Sequence, residues 1–476
     1  MQLEGFGEGV QLGTNTVTSH ILLGHRGTRG ISARHYSIIV DKNLWIWLHD
    51  RYSTHGTTVA HNGQNAKERR RNETWLLAYG PGADHCFNHI SIDSGGLVIR
   101  IEFPNHKGRD AQYLENLRAL AKKTKEDEDL SVNGLGLCSQ ATTKPPSEAQ
   151  TAHDRLIYVK DGVIGSGAYG WVVRVIRARD GKILAGKIVK SPMINSQKRR
   201  RGHDDPSWLA GIRREYTLMK DNPHPNIVPV FELREEPQVM IVMRYFPRGN
   251  IVQAGIRDES KLVTAFGQLL DCLAFLHSRR VTHRDIKPEN VLVELVPYFK
   301  VVLSDFGLSK VVTETTGLQT FCGTIKYAAP EVFPCRTTNY GPPADVWSLG
   351  VVALEWLHDI PAIPEGPKLR PAQQKVRPDQ WRDWIQAWAH LLTTQLGDQE
   401  DGIDVDLLQS MLVVDQNKRI TAAKCLMMGL RGGLFKRRAI DGLIAAALDG
   451  KEQAAADTTI ITQQLNTKDN NLNNTI

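Results

Sequence analysis

Hydrophobic and polar positions divide the chain into two regions with different periodicity. From about residue 10 to 103, short runs of strand-forming residues such as HYSIIV, NLWIWLH and GLVIRIEF alternate with turn residues, and no run has helical length and spacing. From about residue 156, strand-like runs (GWVVRVIRA, ILAGKIV, VMIVMRYF) come first, and runs with helical spacing follow (LVTAFGQLLDCLAFLHSR, ADVWSLGVVALEWL). The pattern predicts a small all-β domain followed by a larger α+β domain.

Two polar segments complete this organisation. The segment after the β-rich region is loop-like, although ENLRALAKKTKEDEDL is compatible with a short helix. The end of the chain, TKDNNLNNTI, is too polar to pack well and is typical of disorder. We therefore expect four parts, namely a β-sandwich over 1–105, a linker over 106–155, the α+β domain over 156–435 and a disordered tail over 436–476.

Composition narrows the class of protein only modestly. The 476 residues fit two or three domains, and 41% hydrophobic with 23% charged residues is typical of soluble globular proteins. No apolar run approaches the roughly 20 residues of a membrane span, and MQLEGFGEGV does not resemble a signal peptide. The six cysteines include no CxxC pair, which favours free thiols in a reducing compartment. A net charge of +7 suits phosphorylated partners as well as nucleic acid.

A glycine-rich stretch, IGSGAYGWV at 164–172, is the first candidate for chemistry. Its G-x-G-x-x-G-x-V spacing allows backbone N–H groups to approach a polyphosphate, although glycine-rich turns between strands are common. A strand follows it, which favours a hairpin over a nucleotide rather than a dinucleotide fold. Downstream, Lys187 in ILAGKIV is either a solvent-facing strand residue or a lysine that neutralises phosphates, and Glu215 is placed to be its carboxylate partner.

The second candidate is the stretch HRDIKPEN at 283–290, followed by SDFG. Asn290 and Asp305 flank short predicted strands, and oxygen ligands at such positions can hold Mg²⁺. Asp285 can orient a hydroxyl group for in-line attack on a phosphoryl group. Each residue alone is compatible with a solvated surface position, but their order after the glycine-rich stretch and the lysine favours phosphoryl transfer.

Residues from about 157 to 430 resemble a eukaryotic protein kinase. The resemblance rests on the glycine-rich stretch, AGK at 185–187, HRDIKPEN, DFG at 305–307, APE at 329–331, DVWSLG at 345–350 and Arg419. It implies that Lys187 contacts the nucleotide phosphates and Glu215, that Asp285 accepts the proton of the substrate hydroxyl, and that Asn290 and Asp305 hold Mg²⁺. It also implies a structural pair between Glu331 and Arg419.

The resemblance further implies specificity, regulation and the nucleotide contacts. Lys287 is the lysine found in Ser/Thr kinases, where it contacts the transferred phosphoryl group, and Thr324 is the threonine that braces it. Arg284 implies an activation loop controlled by phosphorylation, for which Thr320 is the favoured site. The positions expected to contact ATP are Ile164, Gly165, Ser166, Gly167, Gly170, Val172, Ala185, Lys187, Met243, Tyr245 and Leu292.

The N-terminal region resembles a forkhead-associated (FHA) domain, a β-sandwich that binds phosphothreonine peptides through loops at one end. The resemblance is carried by S-x-x-H at 32–35 and STHGT at 53–57, and it implies phosphopeptide contacts from Ser32, Arg34, Ser53 and Thr54. Thr14 replaces the arginine expected near the start, which removes a bidentate phosphate contact. Arg26, Arg29 or Arg34 would have to replace it, and a sandwich that no longer binds phosphate is the alternative.

Together these patterns predict a nuclear or cytoplasmic Ser/Thr protein kinase that uses ATP and Mg²⁺. An FHA domain before a kinase is the arrangement of DNA-damage checkpoint kinases, so we expect checkpoint-type signalling and recruitment to phosphothreonine-bearing proteins. We expect protein substrates, no membrane and no direct nucleic-acid partner, with a homodimer as an option. The basic run QKRRR at 197–201 is either a nuclear localisation signal or a solvated loop. The alternative function is a phosphopeptide-binding scaffold with weak or no kinase activity.

Overall fold

The computed structural model describes most of the chain with gaps. The described residues are 9–79, 87–102, 110–123, 156–167, 170–190, 206–236, 238–306, 325–332, 341–358, 360–364 and 378–447. Within them, no helix is both long enough and apolar enough to cross a lipid bilayer.

The N-terminal region is all-β, as the alternating pattern predicts. Its strands are β1 (Val10–Gly13), β2 (Ile21–Leu22), β3 (Tyr36–Val40), β4 (Ile46–Asp50), β5 (Thr57–His61), β6 (Arg69–Arg70), β7 (Thr74–Ala78), β8 (His89–Ser94) and β9 (Leu97–Glu102). They form two sheets in the orders β2-β1-β3-β4-β7 and β6-β5-β8-β9. Side chains of both sheets, including the fully buried Trp75 and Ile90, meet in one core, so the region is a β-sandwich. We call it the N-terminal sandwich.

A helix follows the sandwich inside the segment predicted as a linker. Helix α1 (Asp110–Lys123) packs Leu117 and Ala121 against Val40 of the sandwich. This apolar contact explains why ENLRALAKK forms a helix attached to β3 rather than a polar spacer.

The α+β region begins with three strands, β10 (Tyr158–Gly167), β11 (Gly170–Arg177) and β12 (Ile183–Val189). Helix α2 (Pro206–Asp221) follows, and then the antiparallel pair β13 (Val230–Arg234) and β14 (Met240–Arg244). The fold class predicted from the sequence, an all-β sandwich followed by an α+β domain of kinase type, is confirmed.

The helical part is built on the buried helix α3 (Glu259–Ser278), which Asp258 caps by accepting a hydrogen bond from the Lys261 N–H. The antiparallel pair β15 (Val291–Glu294) and β16 (Lys300–Leu303) carries the catalytic-loop motifs at its ends. The remaining helices are α4 (Pro342–Leu357), α5 (Pro378–Gly397), α6 (Ile403–Met411) and α7 (Ala422–Arg431).

A C-terminal hairpin closes this region. Strands β17 (Phe435–Arg437) and β18 (Ile444–Ala446) pack against α3, and the Ala446 N–H donates to the Thr264 hydroxyl at 2.9 Å. Ile444 and Phe435 lie so close to Gly267 that a Cβ atom there would be 2.5 Å and 2.9 Å from them. The packed structure therefore reaches residue 447, beyond the boundary predicted at 435, because these residues bury apolar side chains.

The chain forms two compact units whose division differs from the predicted domains. The first comprises the residues up to Ser166 together with Trp171–Gly186, and the second comprises Gly167–Gly170 and the residues from Lys187 onwards. Strands β10, β11 and the start of β12 therefore belong with the N-terminal sandwich. The expected boundary at 156 marks a change in sequence character but not an edge of a compact unit.

Candidate active site

In the second unit, the buried Lys187 ammonium lies between two carboxylates, the buried Glu215 and the partly exposed Asp305. Strand β12 places its ammonium 2.8 Å from Asp305 Oδ1 and 3.3 Å from Glu215 Oε1. Glu215 projects from α2 and is itself buried. The predicted Lys187–Glu215 pair is present, and Asp305 is a second, closer partner of the lysine.

Burial and the Lys187 ammonium shift the pKa values of the two carboxyl groups in different directions. Burial raises the pKa of Glu215 to about 7, because the Lys187 ammonium only partly offsets the loss of solvation. Burial also opposes ionisation of Asp305, but its contact with the Lys187 ammonium holds the pKa of that carboxyl below its usual value. Burial opposes the charge of Lys187 as well, yet the two carboxylates raise the pKa of Lys187. Lys187 thus interacts with both carboxyl groups, and Glu215 Oε2 is buried without a hydrogen-bond partner among the described residues.

The HRDIKPEN stretch at 283–290, which we call the catalytic loop, is held in place by one buried carboxylate. Asp345, in the first turn of α4, accepts hydrogen bonds from the backbone N–H groups of His283 and Arg284 at 2.8 and 2.7 Å. It also accepts one from His277 Nε2 at 2.9 Å. These bonds hold the loop although Arg284 adopts a φ of 71°, which is rare for a non-glycine residue. The side chain of Asp285 is thereby placed at a fixed point.

Asp285 has one occupied and one available carboxylate oxygen. Its Oδ2 accepts hydrogen bonds from Lys287 Nζ at 2.7 Å and from Asn290 Nδ2 at 3.0 Å. Its Oδ1 accepts none from the residues that the structure describes. The arrangement fixes the carboxylate plane and leaves one oxygen to accept a hydrogen bond from a substrate hydroxyl.

Asn290 and Asp305 fit the requirements of a magnesium ion. Asn290 donates through its amide nitrogen to Asp285, so its amide oxygen is not used in those bonds. Asp305 follows β16 with a φ of 62°, and Ser304 N–H donates to the Asn290 carbonyl at 2.9 Å, which joins the two segments. Within the described ranges no three His, Cys, Asp or Glu side chains form a metal cluster. One carboxylate and one amide suit Mg²⁺, which usually keeps water ligands and binds substrate phosphates.

The end of the glycine-rich stretch lies against the strand of Lys187. Gly170 has a φ of 152°, and a Cβ atom on it would be 1.9 Å from the Ile188 carbonyl oxygen. Glycine is required here because the two backbones touch.

The other predicted nucleotide contacts are distributed over both units. Ile164, Gly165, Ser166, Val172 and Ala185 lie in the first, and Gly167, Met243, Tyr245 and Leu292 lie in the second. Met243 is buried in β14, while Tyr245 and Leu292 are half-buried. Thr320 and Thr324 lie outside the described residues.

The APE motif at 329–331 is anchored by a bidentate ion pair. Arg419, whose side chain is fully buried, donates to the two carboxylate oxygens of Glu331 at 2.6 and 3.0 Å, as the resemblance implied. It also donates to the Pro343 carbonyl.

The sequence matches a known protein family over most of the α+β region. The protein kinase domain family matches residues 158–429, which is more than half of the 476-residue chain. The chain belongs to the protein kinase family. The kinase motifs identified in the sequence all lie within the matched residues.

Curated relatives of this kinase carry Ser/Thr kinase names. The serine/threonine-protein kinase cds1 of Schizosaccharomyces pombe is 32% identical over 301 residues, covering 60% of each chain. The serine/threonine-protein kinase RAD53 of Saccharomyces cerevisiae is 27% identical over 336 residues, covering 67% of this chain and 38% of that protein. The probable serine/threonine-protein kinase MARK-A of Dictyostelium discoideum is 35% identical over 198 residues, covering 40% of this chain and 18% of that protein. The kinase thus spans less than two thirds of the length of each of these relatives.

At the loop end of the N-terminal sandwich, two of the predicted phosphopeptide residues come together. Ser32 Oγ accepts a hydrogen bond from the Thr54 N–H at 2.8 Å and lies 3.3 Å from Thr54 Oγ1. Arg34 is exposed two residues further on. His35 Nδ1 accepts from the Ser32 N–H at 3.0 Å, so this histidine shapes the loop.

Ser53 does not join this pair. It is fully buried and donates its hydroxyl hydrogen to Asp50 at 2.6 Å. Asp50 also accepts from the Thr57 hydroxyl and the Asn72 N–H, so Ser53 belongs to a buried network that supports the loop. Ser53 and Thr54 are neighbours in the loop between β4 and β5, and their adjacency in the motif does not show which of the two side chains is buried.

Two residues that hold the catalytic loop, Asp345 and His277, were not singled out from the sequence. Asp345 stands at the start of the apolar run VWSLGVVALEWL, and an acidic residue in the first turn of such a buried helix signals a specific partner. His277 gives no comparable signal, because an isolated histidine near a helix end is most often structural.

Proposed function

We propose that this protein is a Ser/Thr protein kinase that transfers the γ-phosphoryl group of Mg-ATP to serine or threonine hydroxyls of protein substrates. The observation that carries the proposal is the geometry of Asp285, with one oxygen held by Lys287 and Asn290 and the other left available. Positioning of a hydroxyl and neutralisation of phosphate charge are the contributions that phosphoryl transfer requires from a protein.

The residues present can hold Mg-ATP. Asn290 and Asp305 would provide the oxygen ligands for the metal, and Lys187 would face the phosphates. When bound, Mg-ATP supplies the transferable phosphoryl group and the positive charge that stabilises the leaving group. Asp285 orients the substrate hydroxyl and receives its proton, and Lys287 keeps that carboxylate oriented while adding positive charge near the reacting centre.

Transfer of labelled phosphate from ATP to a mixture of serine and threonine peptides tests this function. Wild-type protein, with its activation loop phosphorylated, should transfer label, whereas Asp305→Ala should not and Asp285→Asn should be slower by roughly 10²-fold or more. Glu259→Gln, an exposed change in the first turn of α3, is the matched control and should keep full activity. A wild-type protein without activity under these conditions would contradict the proposal.

We also propose that the N-terminal sandwich binds phosphothreonine-bearing proteins and recruits the kinase to them in the nucleus or cytoplasm, within checkpoint-type signalling. The contact between Ser32 and Thr54 supports this second role, since it gathers two hydroxyls and a backbone N–H at one loop end. A phosphothreonine peptide library should be captured by wild-type protein and less well by Ser32→Ala. The non-phosphorylated library serves as the control, and equal binding of both libraries would leave the sandwich without this role.

A further inference from the structure

The N-terminal sandwich and the first strands of the kinase domain share one hydrophobic core. Four residues at the start of β10 and the end of β11 enter the sandwich core, which already contains Trp75 and Leu76. They are Ile157 directly before β10, Val159 in β10, Ile176 in β11 and Ala178 directly after β11. All four are almost completely buried. The sandwich therefore covers the start of β10 and the end of β11, whereas the rest of β10 is largely exposed.

Backbone hydrogen bonds join the two parts as they would join neighbours within one domain. The Leu76 N–H of β7 donates to the Ala178 carbonyl at 2.8 Å, and the Ala178 N–H donates to the Ile157 carbonyl at 2.9 Å. Two backbone hydrogen bonds therefore connect β7 of the sandwich to Ala178, directly after β11, and Ala178 to Ile157, directly before β10. Interfaces between independent domains are usually more polar and lack such backbone pairing.

Side chains of the sandwich make three further contacts, one with β10 and two with the turn between β11 and β12. The Gln64 amide both donates to the Lys160 carbonyl at 2.8 Å and accepts from the Lys160 N–H at 2.9 Å, so it pairs with β10 as a strand would. The Tyr79 hydroxyl donates to the Gly181 carbonyl at 3.2 Å. Glu73 lies 3.9 Å from Arg179 in an additional ion pair.

The turn between β11 and β12 is shaped to fit the sandwich. Gly181 has a φ of 66°, and a Cβ atom on it would lie 2.8 Å from the Trp45 ring and 3.1 Å from Leu76. The turn can approach this closely only because residue 181 has no side chain.

The strands held in this way carry the nucleotide-handling residues. Five residues after Lys160, strand β10 reaches Gly165, and six residues after Gly181, strand β12 reaches Lys187. An ion pair between Arg174 and Asp161 at 2.7 Å ties β11 to β10 between these points. Strand β10 thus runs without interruption from the sandwich contact at Lys160 to Gly165.

We propose that the N-terminal sandwich is fixed to strands β10 and β11 rather than flexibly tethered to them, and that Gln64, Tyr79 and Trp45 are positioning residues for Mg-ATP binding. The effect on nucleotide rests on the proposed kinase function, whereas the fixed attachment does not. The two statements are therefore tested by separate measurements on the full chain.

The attachment is tested by cutting the chain between the two parts. A site-specific protease sequence is inserted at residue 140 of the full chain, and the cleaved protein is passed over a sizing column in 0.5 M salt. We expect the two fragments to elute together in the wild-type background and to separate in the Gly181→Ala background, where the added methyl group collides with Trp45. Separation of the wild-type fragments, with the larger one still binding Mg-ATP as tightly as the intact chain, would overturn the proposal.

The positioning role is tested on the intact chain by calorimetry and kinetics. Gln64→Ala should raise the Kd and the KM for ATP by about fivefold or more while leaving kcat near its wild-type value, because it shifts β10 and not Asp285. Gln64→Glu, which keeps the acceptor for the Lys160 N–H and loses the donor, should give an intermediate KM. Lys67→Ala, an exposed change in the same loop, is the matched control and should behave as wild type.

The outcomes separate the two proposals. If the wild-type chain binds no Mg-ATP, the kinase function fails, and co-elution of the cleaved fragments still decides the attachment. If Gln64→Ala binds Mg-ATP as tightly as the Lys67→Ala control while hydrogen exchange at β10 is unchanged, the positioning role is wrong. Faster hydrogen exchange confined to β10 and β11 in Gln64→Ala, together with the raised KM, supports it.

Discussion

The Lys287 ammonium donates to Asp285 Oδ2 at 2.7 Å, two residues away in the same loop. Both side chains are largely shielded from solvent, so this charge-assisted bond is stronger than a surface ion pair. It directs the other oxygen of Asp285 toward the space where a hydroxyl would bind. The lysine thus contributes to orientation as well as to charge.

Comparison of two replacements of Lys287 should separate its effect on the orientation of Asp285 from the effect of its charge. We expect Lys287→Ala to lower kcat by roughly 10²-fold with a smaller change in the KM for ATP, because a charge near the transition state and the orientation of Asp285 are lost together. Lys287→Arg keeps the charge but not the compact geometry, and should retain part of the rate. Steady-state kinetics with saturating peptide measures both, and an unchanged kcat in Lys287→Ala would contradict the assigned role.

Substitution of Gly170 should impair nucleotide binding through the backbone. A methyl group at this position would overlap the Ile188 carbonyl, so Gly170→Ala must displace the strand that carries Lys187. We expect at least about tenfold weaker binding of Mg-ATP by calorimetry. Gly162→Ala on β10, where an added Cβ would meet no atom within 4 Å, is the matched control and should bind normally.

Replacement of Arg419 alone should destabilise the protein, because Glu331 would lose its ion-pair partner. Arg419→Met would leave Glu331 without its guanidinium partner in a largely buried position, and should lower the free energy of unfolding by about 3–5 kcal/mol. Urea denaturation followed by intrinsic fluorescence measures this loss. Lys418→Met, next in the chain and exposed, should change stability by less than about 0.5 kcal/mol. Equal effects of the two changes would contradict a specific role for the buried pair.

Acid should destabilise the first unit through His61. Its Nε2 donates to the Leu76 carbonyl at 2.6 Å, its Nδ1 has no partner among the described residues, and burial lowers the pKa of His61 to about 4. The unfolded chain, with an ordinary histidine pKa near 6.5, binds a proton at pH values between about 6.5 and 4, where the folded chain does not. Stability is therefore complete above about pH 6.5 and falls as the pH drops from there toward 4, by at most about 3 kcal/mol.

Thermal denaturation at pH 7.5 and pH 5 checks this expectation. His61→Gln keeps a side-chain N–H donor and removes the titration, so its Tm should fall less than that of wild type between the two pH values. His25→Gln, an exposed change, should show the wild-type difference. A wild-type Tm that does not fall between pH 7.5 and pH 5 would contradict the shifted pKa.

Local patterns predicted the fold class and the catalytic loop because both depend on short stretches of sequence. Local sequence is enough to predict three features. These are the strands β3 to β9 from their alternation, helix α3 from its helical spacing, and the catalytic loop from the contiguous HRDIKPEN stretch. Asp285, Lys287 and Asn290 lie within six residues of one another, so one short stretch of sequence contains all three, although the distant Asp345 holds their loop in place.

What the patterns did not predict depends on partners far apart in the chain. Asp305 contacts Lys187 from 118 residues away, and nothing in the strand pattern around the lysine indicates that a second carboxylate competes with Glu215. The apolar alternation at 157–159 and 176–178 looks the same whether it faces an adjacent helix or another domain. The buried strand β18 lies close to a polar segment, and composition alone did not separate the two.

The docking of β17 and β18 onto α3 has a consequence for biosynthesis. Domains generally fold as units during translation, from the N-terminus onward. Helix α3 is made early, but the space beside Gly267 is filled only by Phe435 and Ile444, more than 160 residues later. We therefore expect the apolar surface beside Gly267 to stay uncovered during synthesis until residue 446 leaves the ribosome.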